Sequence, residues 1–413
     1  MTGPRERAED ASAGGSGGGR WSRRGLLLAG ATAGVGALGG AVAGRSTAPT
    51  PEPAGPPPPH GEDTVPFHGT HQAGIETPPQ ANVRLLGLDL APDTDAEGVR
   101  RLLSLLGDDV ARLSRGEGAL ADTEPELAAT PARLTVTFGF GRGLVERVAP
   151  DAVPSWLTDL PDFEHDALRS EWGQTDLLLQ VCSDDPVTVA HAARVLLRDA
   201  RAHTRTRWVQ DGFRRAHGSE REGATMRNLM GQVDGTVNPV PGTEDFDHLV
   251  WSEDGPGWLT GGTSLVLRRI ATHLDTWDEL DRPAREAVIG RRLADGSPLT
   301  GENEHDEPDF TATDAGGLTV IADFAHIRRA RSEDPEERVF RRGYNYDDAA
   351  SGESGLLFVC FQSDPVRRFV PIQRRLDELD LLNEWVSAVG SAVYAVPPGC
   401  EEGGFVGQNL WKG

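Results

Sequence analysis

Three short segments carry residue types that chemistry needs. The first reads Gly231-Gln232-Val233-Asp234-Gly235-Thr236-Val237-Asn238-Pro239. An Asp-Gly pair alone is an ordinary tight turn. Here Leu229 and Met230 precede it and further turn formers follow, and a glycine-rich loop lets backbone approach a flat ligand closely. The second reads Ala322-Asp323-Phe324-Ala325-His326-Ile327-Arg328-Arg329, after a strand-like run at 318–322. His326 has no second His or Cys at zinc spacing, which argues against tetrahedral zinc. A single axial imidazole is what heme iron takes. The third reads Val339-Phe340-Arg341-Arg342-Gly343-Tyr344-Asn345-Tyr346. Paired Arg beside Gly and Tyr make either a surface turn or a cradle for carboxylates or an anionic oxygen species.

Positioning these segments requires a scaffold, and the hydrophobic pattern predicts one. Strands are expected at 83–90, 134–138, 176–183 and 205–215, with helices over 95–113 and 186–200. The second half repeats the theme, with strands at 264–270 and 356–362 and helices over 282–292 and 365–378. One detail points to a duplication. Leu177-Leu178-Leu179 followed by Asp185-Pro186-Val187 matches Leu356-Leu357-Phe358 followed by Asp364-Pro365-Val366, at a constant offset of 179 residues. Both copies read as a buried strand, a turn and a helix opened by Pro at its first position. The expected architecture is α+β: two related units, each an antiparallel sheet covered by helices.

Composition narrows the function. The 413 residues carry a net charge of −23. Residues 1–43 hold five Arg against Glu6, Glu9 and Asp10, so the remainder stands at −25. This excludes nucleic acid, which needs a basic stripe, and argues against anionic lipid. Lys412 is the only lysine, which nearly excludes a Schiff-base or P-loop lysine mechanism. Cys182, Cys360 and Cys400 are odd in number with no CxxC spacing, so neither a zinc ribbon nor a disulfide framework is expected. At the N-terminus, Arg23-Arg24 precedes an uncharged Gly/Ala/Leu stretch and an Ala41-Val42-Ala43 cleavage pattern. That order is similar to a twin-arginine (Tat) signal, so 1–43 is read as a Tat signal peptide and 44–64 as a disordered Pro-rich linker. Export by the Tat pathway to a secreted or extracytoplasmic place follows, and that route favours proteins folded around a cofactor.

Together the three segments resemble the dye-decolorizing peroxidase family. Gly231, Asp234 and Gly235 match its GxxDG signature, and the longer GxxDGTxNP form is intact through Pro239. His326-Ile327-Arg328 matches its proximal-His segment and Arg341-Arg342-Gly343-Tyr344 its distal-Arg segment. The strand LLFVCFQ at 356–362, the element at 68–75 and the closing stretch at 390–399 are similar as well. The resemblance covers 66–410 in the right order. With the leader, it points to the exported branch that includes the deferrochelatase/peroxidase of ferrous-iron uptake operons.

The resemblance implies two ferredoxin-like halves, 65–222 and 223–413, of the dimeric α+β barrel superfamily, with one heme b per chain in the second. His326 is implied as the iron ligand, with Asp234 and Arg342 on the peroxide side. Gly235, Thr236 and Val237 are implied at the heme edge and Leu356 and Phe358 as apolar wall. Arg291 and Arg331 are implied for the propionates. A carboxylate on a late helix is implied behind the histidine, with Glu384 as first choice and Asp380 as second; such a partner makes imidazole a stronger donor. Asp234 would move the peroxide proton, an Asp having a reference pKa of ~3.9, and Arg342 would stabilise charge as the O–O bond breaks. Single electrons then come from dyes, phenols or similar reductants through an oxidised heme. Tyr344, Tyr346, Tyr394, Trp251 and Trp385 are candidate relays for bulky donors. Implied partners are hydrogen peroxide, a small-molecule reductant, the Tat translocase, a second copy in a homo-oligomer and an iron-uptake system. The alternatives are deferrochelatase-like release of iron from heme, and heme storage without turnover.

Overall fold

The computed structural model describes residues 59–412 except 222 and 254. The expected signal peptide, and the linker as far as residue 58, lie outside the described residues. The linker's expected end is already fastened ahead of Val65. Ala132 N–H donates to Gly61 O at 3.0 Å and Arg133 N–H to Asp63 O at 2.7 Å. His60 Nε2 meets Asp184 Oδ2 at 2.9 Å.

The first half runs β1 (Asn82–Leu90), α1 (Ala96–Leu113), β2 (Thr135–Phe140), α2 (Arg142–Val148), β3 (Leu177–Ser183), α3 (Pro186–Ala200) and β4 (Thr204–Phe213). Its sheet order is β2-β3-β1-β4, each pair antiparallel. The second half runs α4 (Glu244–Val250), β5 (Thr263–Thr272), α5 (Leu274–Trp277), α6 (Arg282–Ile289), α7 (His326–Ala330), β6 (Phe340–Arg341), β7 (Tyr344–Asp348), β8 (Glu353–Gln362), α8 (Pro365–Leu379) and β9 (Val386–Val396). Its order, β7-β8-β5-β9, repeats the first. The equivalent helices α3 and α8 are both 15 residues long. Asp185 caps the first by accepting from Thr188 N–H, and Asp364 caps the second by accepting from Val366 and Arg367 N–H. An Asp cap followed by Pro satisfies donors that the first turn cannot pair internally.

The two sheets close on each other. Phe140 of β2 pairs with Ala395 of β9, and Phe213 of β4 pairs with Asn345 of β7. Since β5 pairs with both β8 and β9, eight strands close into a ring, and the two-residue β6 pairs with β8 alone among the described strands. Inside it, Val83, Leu85 and Leu178 of one sheet meet Leu265, Leu267 and Leu357 of the other. Outside, Leu86 and Leu88 of β1 pack under α1 and α3.

The halves differ in one place that matters. Where the first half has α1 lying on its sheet, the second has residues 273–339, in which α5, α6 and α7 are all short. The helix expected over 282–292 stops at Ile289 because Gly290 takes the left-handed conformation (φ +87°) that caps a helix, its N–H donating to Glu286 O; Arg291 and Arg292 beyond it bond carbonyls of the following loop. The run at 318–322 is not a strand; Leu318 is exposed and only an isolated Thr313–Thr319 bridge forms beside it. This looser segment stands away from the sheet and leaves a cavity beneath it.

Candidate active site

The cavity has a volume of about 730 Å³, within the range of cofactor-sized pockets. Ile270 of β5, Leu356 and Phe358 of β8, and Phe369, Ile372 and Leu376 of α8 form its apolar walls. Leu356 and Phe358 face it because alternate residues of a strand share a face; Leu357 and Val359 point into the barrel.

His326 opens α7 on one wall. Its Nδ1 lies 2.6 Å from Asp380 Oδ2. Asp380 ends α8, and its other oxygen accepts Leu382 N–H at 3.0 Å. A buried acceptor-only carboxylate fixes the tautomer: Nδ1 carries the proton and the Nε2 lone pair is left for the cavity. Burial disfavours the charged imidazole, but the Asp380 charge and hydrogen bond outweigh it, and the His326 pKa stands above the usual value. The first choice of partner, Glu384, is corrected here. It ends the 3₁₀ turn Leu381–Glu384 and is exposed. That turn has about three residues per revolution, so the acid four positions after Asp380 faces elsewhere.

Asp234 lies on the Gly231–Pro239 loop and also lines the cavity. Its backbone N–H donates to Met226 O at 2.8 Å, and Asn228 Nδ2 donates to its Oδ2 at 3.3 Å. Gly235 follows at φ +126°, a region essentially reserved for glycine. Thr225 and Thr236 both donate to Glu304 Oε1, at 2.6 and 2.9 Å, tying the loop to the 291–307 segment.

The arginine facing Asp234 is Arg341, not Arg342. Arg341 Nη1 lies 3.3 Å from Asp234 Oδ1 and the side chain lines the cavity. Arg342 is 0% exposed. It donates to Thr77 O and Gln80 Oε1 in the barrel interior. Neighbours in extended backbone project to opposite faces, so the choice between adjacent arginines is a choice between faces.

The remaining expected residues divide. Gly235, Thr236, Val237, Arg291, Arg331, Leu356 and Phe358 all line the cavity. Arg291 is largely committed, donating to Gly296 O and Glu304 O at 2.7 Å each. Arg331 pairs with the exposed Glu307, a partner that an anion can displace. Tyr344, Tyr346 and Tyr394 are buried, and burial pushes all three phenols well above their usual range. Tyr346 alone of the three donates to a carboxylate, Glu353 Oε1, at 3.1 Å. Its ring lies against Gly355, which lines the cavity. Arg269 sits 4.3 Å from that ring and 4.2 Å from the ring of half-buried Trp172. Trp251 is buried in a stack with His71, and Trp385 meets Trp277 edge to face. The sequence reading missed Asn228, Asn238, Glu304 and Trp172. The two asparagines carried a signal, being polar side chains beside or within the glycine-rich loop. The three cysteines are free and buried.

The donor set fits heme. One imidazole has its far nitrogen fixed and its near nitrogen without a protein partner. Around it are flat apolar walls, a glycine loop at the edge and Arg331 to meet carboxylates. Zinc would want further His or Cys ligands, and the cavity brings none to His326.

Residues 72–214 match the family model described as Dyp-type peroxidase, N-terminal, and residues 225–401 that of Dyp-type peroxidase, C-terminal. The chain is 40% identical over 361 residues to the dye-decolorizing peroxidase of Thermobifida fusca, covering 83% of this chain and 84% of that one. It is 32% identical over 362 residues to the deferrochelatase of Escherichia coli K12, covering 82% and 84%. The crystal structure of a DyP-type peroxidase from Cellulomonas bogoriensis superposes with a TM-score of 0.83 at 54% identity, covering 86% of this chain and 99% of that one.

Proposed function

The chain belongs to the Dyp-type peroxidase family and is a heme-dependent peroxidase, and we propose how its side chains divide the work. One observation carries the assignment: a histidine backed by a buried carboxylate shares one cavity with an Asp–Arg pair. His326 would hold the heme iron through Nε2, since Asp380 keeps the ring proton on Nδ1 and makes the imidazole a stronger donor. Arg331, whose partner Glu307 is exposed and displaceable, is the cation for a propionate, with Arg291 stiffening the wall. Bound heme supplies the iron centre that accepts peroxide and passes on single electrons.

The side chains then handle protons and charge. Asp234 takes the proton from the nearer peroxide oxygen and delivers it to the leaving one, general acid–base work worth roughly 10²–10⁴-fold. Arg341 stabilises the negative charge that develops on the departing oxygen. Tyr346 relays electrons for donors too bulky for the cavity, giving its phenolic proton to Glu353. Dyes and phenols are the reductants we assign.

The test is an absorption spectrum of purified protein before and after one equivalent of peroxide, with Asp234→Asn beside it. The variant should give the peroxide-dependent spectral change roughly 10²–10⁴-fold more slowly, the range for losing a general acid–base group. A wild-type rate in the variant would move the proton shuttle to Arg341 and ordered water.

Iron release from heme is the second reading, favoured by the likeness to a deferrochelatase; iron-free porphyrin among the products would support it. For location we propose Tat export, supported by Arg23-Arg24, the mild apolar stretch and Ala41-Val42-Ala43. Replacing both arginines by Lys should leave heme-loaded precursor in the cytoplasm, and normal secretion without the Tat translocase would overturn it.

A further inference from the structure

We propose that Asn238 is a positioning residue that sets Arg341 against Asp234. The inference rests on reading Asp234 and Arg341 as the peroxide-side pair. Strand β6 has two residues and a single neighbour, β8. Arg342 N–H donates to Val359 O at 2.8 Å. In an antiparallel ladder alternate residues direct their polar groups to opposite sides, so Arg341 turns its N–H and C=O away from β8, toward an edge with no strand.

Asn238 fills that edge with its side chain. Its Nδ2 donates to Arg341 O at 2.7 Å and its Oδ1 accepts Arg341 N–H at 3.0 Å. A carboxamide offers a donor and an acceptor side by side, which neither a carboxylate nor a guanidinium does. One side chain thus pairs with Arg341 as a neighbouring strand would. Pro239 follows and narrows the backbone freedom of Asn238. Asp234 belongs to the same loop. The loop that supplies the carboxylate therefore also grips the backbone of the arginine meeting it, and the 3.3 Å Asp234–Arg341 spacing is set locally. Displacing a reacting group by about 1 Å costs on the order of 10²-fold in rate, which gives such a clamp its value.

The experiment uses heme-loaded ferric protein and two probes, azide, whose charge Arg341 would face, and neutral imidazole. Asn238→Ala should bind azide roughly tenfold more weakly, the scale of one hydrogen bond to a charged group, and imidazole as before. Asn238→Asp, which keeps the acceptor and loses the donor, should fall in the same direction and covers the case in which the alanine variant folds poorly. Combined with Arg341→Leu, Asn238→Ala should add nothing to the azide loss, because coupled residues are not additive. In heme-free protein the Arg341 amide should exchange hydrogen faster without Asn238. Wild-type azide affinity in Asn238→Ala while Arg341→Leu weakens it, or additive losses in the double variant, would overturn the proposal. Wild-type azide affinity in Arg341→Leu would instead sink the reading of the pair itself.

Discussion

Arg341 and Arg342 leave one stretch of backbone on opposite faces of the barrel wall. The first reaches Asp234 at the cavity, and the second is enclosed with Thr77 and Gln80 in the barrel interior. One charge is therefore available to a ligand, and the other is structural. Burying a guanidinium without a carboxylate is costly unless its donors are met. Arg342 meets that demand in part, since its Nε has no hydrogen-bond partner.

This arrangement separates two substitutions that look alike in sequence. Arg341→Leu should fold normally and slow the reaction with peroxide by ~10²–10³-fold, the range for losing one donor to a developing anion. Arg342→Leu should orphan the buried Gln80 acceptor, at ~1–3 kcal/mol, along with the half-buried Thr77 carbonyl, and lower the midpoint of chemical denaturation. Stopped-flow mixing and a denaturation curve on both variants check the assignment. Reversed phenotypes would restore Arg342 to the site.

Behind the iron, Asp380→Asn keeps the shape of the side chain and removes its charge. The imidazole then becomes a weaker donor, and the ferric state loses stabilisation. We expect a higher ferric/ferrous midpoint potential in spectroelectrochemical titration, with heme still bound. Glu384→Gln should leave the potential where it is, since that side chain is exposed and lies off the histidine. A shift in Glu384→Gln equal to that in Asp380→Asn would return the role to Glu384.

These two corrections mark where sequence reasoning stops. The paired helices α3 and α8 were legible because Asp-Pro at a helix start is a local signal, and it recurs at one offset. His326 and Asp234 were legible because their neighbours form extended motifs. The choice between Arg341 and Arg342 depends on which ladder bonds a two-residue strand makes, and one position of register exchanges the faces. Asp380 and Glu384 are separated by the sense of a single 3₁₀ turn. An acid flanked by Leu379, Leu381 and Leu382 did carry a hint, since a carboxylate among apolar residues requires a partner. The cavity was not legible, because it arises from what residues 273–339 fail to cover.

Stability should depend on pH through a site far from the cavity. Asp109 on α1 is buried, and burial followed by the charge of Asp199 on α3 pushes its pKa up to about 7. The folded chain then holds a proton that the unfolded chain releases near its ordinary value of ~3.9. The unfolded state binds fewer protons between those values, so stability falls as pH rises from about 4 to 7 and stays lowered above. Asp109→Asn removes the titration and should raise stability above pH 7. The gain should be on the order of 1–2 kcal/mol once solvent screening is allowed for. Thermal melts from pH 4 to 8 check this. Parallel curves for the two proteins would refute it.

Electron supply gives the last prediction. Three buried tyrosines are available, and each is held firmly protonated by burial. A phenol that gives up an electron becomes strongly acidic, so a working relay needs a base at its hydroxyl. Tyr344 faces Cys182 Sγ at 3.7 Å and Tyr394 faces Thr175 Oγ1 at 2.8 Å; neither neighbour is a useful base. Tyr346 faces Glu353, which burial would push up but which Arg269 and Arg169 hold below the usual carboxylate range, so it is ionised and ready to accept. The same ring touches Gly355 at the cavity wall, and Arg269 bridges it toward Trp172. Tyr346→Phe should therefore react with peroxide at the wild-type rate and lose most turnover of a dye too large to enter. A phenol small enough to enter should still be oxidised. Glu353→Gln should reproduce the defect with Tyr346 in place, which a simple packing role for the ring would not produce. Steady-state rates with one large and one small donor, beside stopped-flow peroxide kinetics, separate these outcomes. Equal losses for both donors would place Tyr346 outside the electron path.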